Sequence, residues 1–151
     1  MENDKSIDVL NSLITINNDR IQGYETAIDE TEDWDLKTLF GQFIQTSKEC
    51  KSELVSEVTK WGGMADDGTR VDGKIYRIWM DLKAMVTGKD RKAILNSCEY
   101  GEDVAVNTYE KAMRDTDLAS EHSAMVTAQY AKIKADHDAV RNLRDALVDA
   151  E

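Results

Sequence analysis

Apolar residues recur along most of the chain at intervals of three and four positions, the spacing that lines one face of an α-helix. The first such stripe consists of Ile7, Leu10, Ile14, Ile21, Tyr24 and Ile28. Ser6 precedes this stripe and suits an N-cap, and a second stripe starts after an acidic run and ends at Gly62 and Gly63. The pattern predicts helices at about 6–30 and 35–61, and the short connector makes them an antiparallel hairpin.

The second half of the chain repeats this arrangement after a segment of a different kind. Helices are predicted at about 89–115 and 118–148, and a short amphipathic helix at 74–86 precedes them. The apolar face of the short helix contains Ile75, Trp79 and Leu82. Two hairpins joined by a long connection predict one all-α domain over residues 1–151. Its fold would be a ferritin-like four-helix bundle whose one long crossover carries the short fifth helix.

Composition agrees with long helices and narrows the function classes. The 151-residue chain has no proline, and 41% hydrophobic with 32% charged residues suits helices with one solvated face. A net charge of −11 disfavours nucleic acid and anionic membrane surfaces as partners. No apolar run could span a bilayer, and the first residues lack the features of a signal peptide. Cys50 and Cys98 are expected to be buried free thiols, so the predicted location is cytoplasmic.

Three stretches of the sequence resemble a known family. They are INNDRIQGYETA at 16–27, GKIYRIWMDLK at 73–83 and GKDRKAILNSCEYGED at 88–103. Together they are similar to an uncharacterised bacterial family of four-helix-bundle proteins that is grouped with the ferritin-like folds. The resemblance implies a fold and, by analogy, a role in stress physiology. It implies no agreed activity.

The metal ligands typical of ferritin-like carboxylate proteins are incomplete in this sequence. Such proteins hold two metal ions with a Glu from each of two helices and a Glu-x-x-His from each of the other two. No Glu-x-x-His occurs here, and the residue three positions before His137 is Lys134. We therefore expect no cofactor and no di-iron centre of the usual type. Iron or manganese at an atypical, incomplete site is the alternative.

Four residues are candidates for such an incomplete site. Glu102 falls inside the stripe of the third long helix, where a lone carboxylate is costly unless it is paired. Asp136 lies within the stripe of the fourth helix and His137 at its edge, and periodicity alone does not choose between them. Glu25 flanks the first stripe. The family analogy makes Glu25 a candidate ligand, and a solvated surface carboxylate is the alternative.

The same residues have a purely structural interpretation. Counting from the shared end of the bundle puts Asn17, Cys50 and Glu102 at heights similar to that of Asp136 or His137. The polar groups could bond to one another and fix the helix register, as buried polar residues do in coiled coils. Without metal, we expect Glu102 to be protonated or bonded by Asn17 and the fourth helix.

Other features leave the function open. The Trp79 face is either a docking or oligomerisation surface or the cover of the open flank of the bundle. Gly23 and Gly41 predict a close approach of the first two helices. His122 is expected at the boundary of the core, and no serine or cysteine has an evident His–carboxylate pair for nucleophilic catalysis.

Three functions follow as hypotheses. The first is a non-enzymatic protein that acts through self-association, as a dimer, or through a protein partner. The second is a metal-binding ferritin relative, and the third is an oxidoreductase that uses such a metal site.

Overall fold

The computed structural model describes residues 2–66 and 91–150, and four α-helices account for most of them. They are α1 (Glu2–Glu30), α2 (Trp34–Lys60), α3 (Arg91–Arg114) and α4 (Ser120–Ala150). The described part contains no strand. The predicted short helix at 74–86, including Ile75, Trp79 and Leu82, lies outside the described residues.

The helices form the predicted ferritin-like bundle. α1 packs on α2 and α3 packs on α4, and α1 also packs on α3. Arg91 at the start of α3 binds Asp33 and Asp35 at the start of α2, so α2 and α3 begin at the same end of the bundle. The chain between them therefore connects opposite ends, which is the single long crossover of ferritin-like folds.

The glycine pair ends α2 as predicted. Gly62 has φ +84°, a conformation that favours glycine, and its N–H donates to the carbonyl of Thr59 at 3.0 Å. The N–H of Gly63 donates to the carbonyl of Val58 at 2.9 Å, which completes a Schellman motif. A Cβ at Gly63 would lie 2.9 Å from the side chain of Ile7. The glycine pair thus also allows α1 to pack closely against the end of α2.

The start of α1 differs from the prediction. The helix begins at Glu2, so Ser6 lies one turn inside it and does not serve as its N-cap. The Ser6 side chain is fully buried because its hydroxyl faces the start of α4. A polar residue before an apolar stripe has the same pattern whether it caps its own helix or bonds to another, so the sequence could not distinguish the two.

The interior is built from the predicted apolar stripes. Cys50 and Cys98 are buried and form no disulfide, as expected. Gly23 is buried, but Gly41 is exposed, with no neighbouring atom within 4 Å of an added Cβ. The predicted approach of α1 and α2 through Gly41 is therefore wrong, because this glycine is on the outer face of α2. None of the four described helices has an apolar stretch of the length that a bilayer requires.

Candidate functional site

The centre of the bundle contains a fully buried arginine that bonds to one side chain from each of the other three helices. Arg20 on α1 donates from Nε to Glu102 Oε1 on α3 at 2.7 Å and from Nη2 to Asp136 Oδ2 on α4 at 3.1 Å. Its Nη1 donates to the hydroxyl of Ser47 on α2. Arg20 and Glu102 have no exposed side-chain surface, and Asp136 is 16% exposed. We call these four residues the arginine cluster.

A tyrosine supports the arginine cluster from one side. The Tyr24 hydroxyl donates to Glu102 Oε1 at 2.8 Å, and the Tyr24 ring centroid lies 5.6 Å from the Arg20 guanidinium carbon. Phe40 and Phe43 pack against the Tyr24 ring with centroid distances of 5.2 Å. Glu102 Oε1 thus accepts two hydrogen bonds, whereas the buried Oε2 has no hydrogen-bond partner among the described residues.

Helical register brings these α1 side chains inward. Asn17, Arg20 and Tyr24 are separated by three and four residues, so they share one face of the helix. Ile21 is adjacent to that face and only partly buried. Arginine can occupy such a position because its long stem packs among apolar groups while the guanidinium bonds to several partners in one plane.

For both Arg20 and Asp136, the effect of burial on the pKa is opposed by the charge of a neighbouring group. Burial alone would lower the pKa of Arg20, but the nearby Glu102 carboxylate and the other cluster groups raise it above its usual value. Burial raises the pKa of Asp136 to about 6, and the negative charge of Glu102 adds to this rise. The attraction of Arg20 offsets only part of it. Arg20 therefore stays charged, and Asp136 gains its proton in mildly acidic solution.

A second polar layer lies next to the arginine cluster and carries no charge at its centre. At Asn17 and Cys50 it is three positions from the cluster residues of α1 and α2, and on α3 and α4 it is seven positions away. The Tyr109 hydroxyl accepts from Asn17 Nδ2 at 2.8 Å and donates to Gln129 Oε1 at 2.8 Å. Gln129 Nε2 donates to the Cys50 carbonyl at 3.2 Å and to Glu53 at 3.0 Å. All four helices contribute to this set of hydrogen bonds, which we call the amide layer.

The structure brings together two of the four predicted metal-site residues. Glu102 and Asp136 both bind Arg20. His137 is turned away from them, and Glu25 is exposed on the outer surface of α1. Asn17, predicted at the height of Glu102, belongs instead to the amide layer.

His137 forms a separate bridge between α3 and α4. Its Nε2 lies 2.6 Å from Asp103 and its Nδ1 lies 3.0 Å from Asp138, which also binds Lys134 at 2.7 Å. Burial alone would lower the pKa of His137, but its hydrogen bonds to the two aspartates raise it above the usual value. The two ring nitrogens bind carboxylates on opposite sides of the imidazole, so these groups do not converge on one point.

A serine, a histidine and a glutamate lie close together where α2 ends and α4 begins. Ser6 Oγ lies 3.0 Å from His122 Nδ1, and His122 Nε2 lies 3.4 Å from Glu57 Oε1. His122 is fully buried against the Trp61 ring, so the prediction that it lies at the core boundary is wrong. Pairing of a serine with His122 also contradicts the expectation that no such arrangement exists. Ser6 is fully buried and accepts the Ala119 N–H, so this arrangement fastens the start of α4 to α1.

The central residues do not fit a bound metal. The Arg20 guanidinium occupies the space between Glu102 and Asp136, where the carboxylates of a ferritin-like metal centre would face the ions. No group of three or more histidine, cysteine or carboxylate side chains converges anywhere in the described residues. Burial raises the pKa of Cys50 to about 11, so this thiol stays protonated and is a poor ligand or nucleophile at neutral pH.

The helical spacing of the first stripe does not identify Arg20 as the cation of the cluster. Arg20 lies beside Ile21, and either residue fits the spacing of the first stripe, so the apolar one was the natural choice. The signal that could have identified Arg20 was Glu102 itself. A buried carboxylate needs a partner, and Arg20 is the basic residue in the middle of the facing helix. Ser47 carries no comparable signal.

Comparisons with known proteins identify the family and the fold. The sequence model of a family described as a domain of unknown function, DUF2383, matches residues 5–115. A search among curated proteins found no match.

Solved structures resemble this chain in fold. A mutant of Dps1 from Mycobacterium smegmatis has a TM-score of 0.77 at 11% identity, covering 95% of this chain and 97% of that one. A conserved hypothetical protein from Mycobacterium tuberculosis has a TM-score of 0.75 at 8% identity, covering 97% and 94%. The Bacillus anthracis str. Ames structure of ferritin-like, diiron-carboxylate proteins has a TM-score of 0.65 at 15% identity, covering 97% of both chains. Identities this low show the fold alone.

Proposed function

The chain belongs to the DUF2383 family of unknown function, and we propose that it is a non-enzymatic bundle protein that acts through self-association, as a homodimer. The observation that carries the proposal is the salt-bridged arginine at the centre of the bundle. Metal-dependent catalysis needs carboxylates with open coordination positions. Here Glu102 and Asp136 are bound to a cation of the same chain, so the interior is used for structure and the surface is left for function.

An exposed aromatic residue supports an association surface. Trp34, the first residue of α2, is 78% exposed, although tryptophan is largely buried in most proteins. Tryptophan is also enriched among the residues that contribute most to the stability of protein interfaces. The Lys37 ammonium lies 5.8 Å from the Trp34 ring centroid and leaves most of the ring accessible. The interaction surface predicted from the sequence, Ile75, Trp79 and Leu82, is a second proposed contact region.

Sedimentation velocity between about 1 and 100 µM protein tests the proposal, because mass action populates a dimer as concentration rises. We expect a dimer in the wild type, and Trp34→Ser or Trp79→Ser should shift the equilibrium towards monomer. Met64→Ser is the matched control, since Met64 is 89% exposed and lies beyond the opposite end of α2. A wild-type chain that is monomeric throughout this range would contradict the proposal.

Metal analysis of protein purified without a chelating tag tests the alternative function. The alternative is a ferritin relative that binds iron or manganese at an incomplete site, with Glu25 and His137 joining Glu102 and Asp136. We expect far less than one equivalent of either metal. One tightly bound equivalent together with oxidation of Fe²⁺ would favour the alternative and the related hypothesis of an oxidoreductase.

The location and the physiological role are proposed on less direct grounds. Two buried cysteines outside any disulfide support a cytoplasmic protein, and the net charge of −11 disfavours nucleic acid as a partner. The family resemblance supports a role in stress physiology. Imaging of a tagged chain would test the location. A deletion strain compared with its parent under oxidative and osmotic stress would test the role.

A further inference from the structure

The arginine cluster has the composition of an ion-binding site in which the ion is part of the chain. Three oxygen-bearing side chains from three helices surround the Arg20 guanidinium, and two of them are carboxylates. Glu102 Oε2 is buried without a hydrogen-bond partner among the described residues. We propose that Arg20 is a resident counter-ion in place of a bound metal. We further propose that its removal converts Glu102, Asp136 and Ser47 into a divalent-cation site.

Charge balance favours this conversion. With Arg20 present, one positive charge faces two carboxylates, whose combined charge is −2 when both are ionised. Truncation of Arg20 to alanine leaves both carboxylates facing an emptied space without a cation. A buried charge without a partner is strongly destabilising, so the variant gains from any cation that enters. One divalent ion would neutralise both carboxylates.

Ligand chemistry selects the kind of cation. The available ligands are the carboxylates of Glu102 and Asp136, the hydroxyl of Ser47 and water, all of which are oxygen donors. Carboxylate, hydroxyl and water ligands suit hard cations such as Mn²⁺, Mg²⁺ and Ca²⁺. Asp136 is partly exposed and reaches the surface, so it offers an entry path from solvent.

The wild-type chain should exclude the same cations. The guanidinium fills the space between the carboxylates, and an added divalent ion would have to displace it or lie beside its positive charge. Arg20 cannot lose its charge to make room, because its pKa is raised above an already high value. The proposal therefore predicts opposite responses to Mn²⁺ in two chains that differ at one residue.

Thermal unfolding with and without MnCl₂ tests the proposal, and electron paramagnetic resonance of Mn²⁺ measures binding directly. We expect Mn²⁺ to raise the Tm of Arg20→Ala by several degrees and to leave the wild type unchanged. Arg20→Lys retains a cation and should not respond. Arg20→Ala/Glu102→Gln removes one carboxylate from the proposed site and should lose most of the response. All four chains are compared at the same ionic strength, because surface carboxylates bind Mn²⁺ weakly.

Several outcomes would overturn the proposal. They are an Arg20→Ala chain that does not respond, a wild-type chain that responds equally, and a double variant that retains the full response. If Arg20→Ala is unfolded without metal, circular dichroism during a Mn²⁺ titration replaces the melting experiment. Folding induced by Mn²⁺ would then support the proposal, and a chain that stays unfolded in about 1 mM Mn²⁺ would contradict it. These readouts are independent of self-association.

Discussion

The arginine cluster and the amide layer are neighbours in the bundle, and both draw on all four helices. The amide layer is neutral at its centre and includes a carboxylate only at exposed Glu53. Its Tyr109 hydroxyl accepts one hydrogen bond and donates another. Each layer contains one buried oxygen without a hydrogen-bond partner among the described residues, Asn17 Oδ1 and Glu102 Oε2. The arginine cluster alone has ions at its centre, and there the pKa of Asp136 rises to about 6. Neutral polar groups need only hydrogen-bond partners, whereas buried ions must also balance their charge.

This difference indicates separate roles for the two layers. Hydrogen bonds between neutral groups stabilise a fold modestly and fix the helix register. A buried salt bridge contributes little net stability relative to an apolar core, but losing one partner is severe. The arginine cluster should therefore be the more fragile layer towards single substitutions, and the only one of the two that responds to pH near neutrality.

Removing the buried cation should lower the free energy of unfolding more than any other substitution considered below. Arg20→Met keeps much of the side-chain volume but leaves Glu102 and Asp136 facing each other without a counter-ion. We expect the free energy of unfolding at pH 7 to fall by about 3–5 kcal/mol, measured by urea denaturation. The double variant Arg20→Met/Glu102→Gln should recover part of this loss because only one buried charge remains. A loss below about 1 kcal/mol in the single variant would mean that the cluster is well solvated.

Removing the central hydroxyl of the amide layer should cost less. Tyr109→Phe deletes the acceptor of Asn17 and the donor to Gln129 without changing charge. We expect the free energy of unfolding to fall by about 1–3 kcal/mol, the usual penalty for buried polar groups that lose a partner. Tyr130→Phe is the control, since the Tyr130 hydroxyl donates to Glu110 in a less buried place. Equal costs for the two variants would contradict the assignment of the amide layer as a buried network.

The pH dependence of stability should distinguish the contribution of Asp136 from that of other aspartates. Its folded-state pKa of about 6 exceeds the ordinary value of 3.8, so the folded protein holds this proton more tightly than the unfolded chain. Its contribution to stability is complete below about pH 4 and is lost as pH rises through about 6. The stability of Asp136→Asn relative to the wild type should therefore rise by about 1–2 kcal/mol as the pH is raised from about 4 to about 7.5.

An aspartate at the edge of the same helix provides the control for that experiment. The hydrogen bond from Lys134 and then that from His137 lower the pKa of Asp138. Its contribution is present at neutral pH and is lost as pH falls through the lowered value, which is the opposite sign to Asp136. Asp138→Asn should therefore be slightly less stable than the wild type at pH 7.5. Denaturation curves of both variants at matched pH values check the two signs, and the same sign for both would refute this interpretation of the cluster.

An exposed salt bridge should have the smallest effect. Arg91 binds Asp33 and Asp35 at the end of the bundle, where all three side chains contact water. We expect Arg91→Ala to lower the free energy of unfolding by less than about 1 kcal/mol, and less still in about 1 M salt. The salt dependence of the Arg20→Met effect is the comparison, because a buried cluster is screened far less. A loss above about 2 kcal/mol for Arg91→Ala would remove the contrast between the two environments.

The sequence predicted the bundle because its apolar stripes repeat with helical period and its glycine pair ends α2. The inward position of Glu102 was confirmed for the same reason. The prediction of which residues bond to Glu102 was wrong. We expected Asn17 and the fourth helix, whereas Arg20 and Tyr24 on α1 bind it. The fourth helix reaches the cluster through the contact of Asp136 with Arg20. Periodicity specifies which face of a helix is buried, but it does not specify which of two adjacent residues lies at the centre of that face.

Contacts between helices that are distant in sequence were harder still to predict. Ser6 and His122 are 116 positions apart, and each taken alone has the spacing of an ordinary helix residue. Their meeting depends on how far the two hairpins slide along each other. Hydrophobic stripes tolerate several such offsets, so the sequence did not favour this pairing over others.

The hydrogen bonds of Arg20 to three other helices have a consequence for the kinetics of folding. Its partners on α2, α3 and α4 lie 27, 82 and 116 positions away, so neither hairpin can satisfy the guanidinium alone. While the hairpins are apart, the charge stays hydrated, and water must leave it in the step that joins them. Docking and dehydration then form a single barrier with many long-range contacts, a property that slows folding. The two halves of the molecule should consequently melt together, and neither should persist as a stable intermediate.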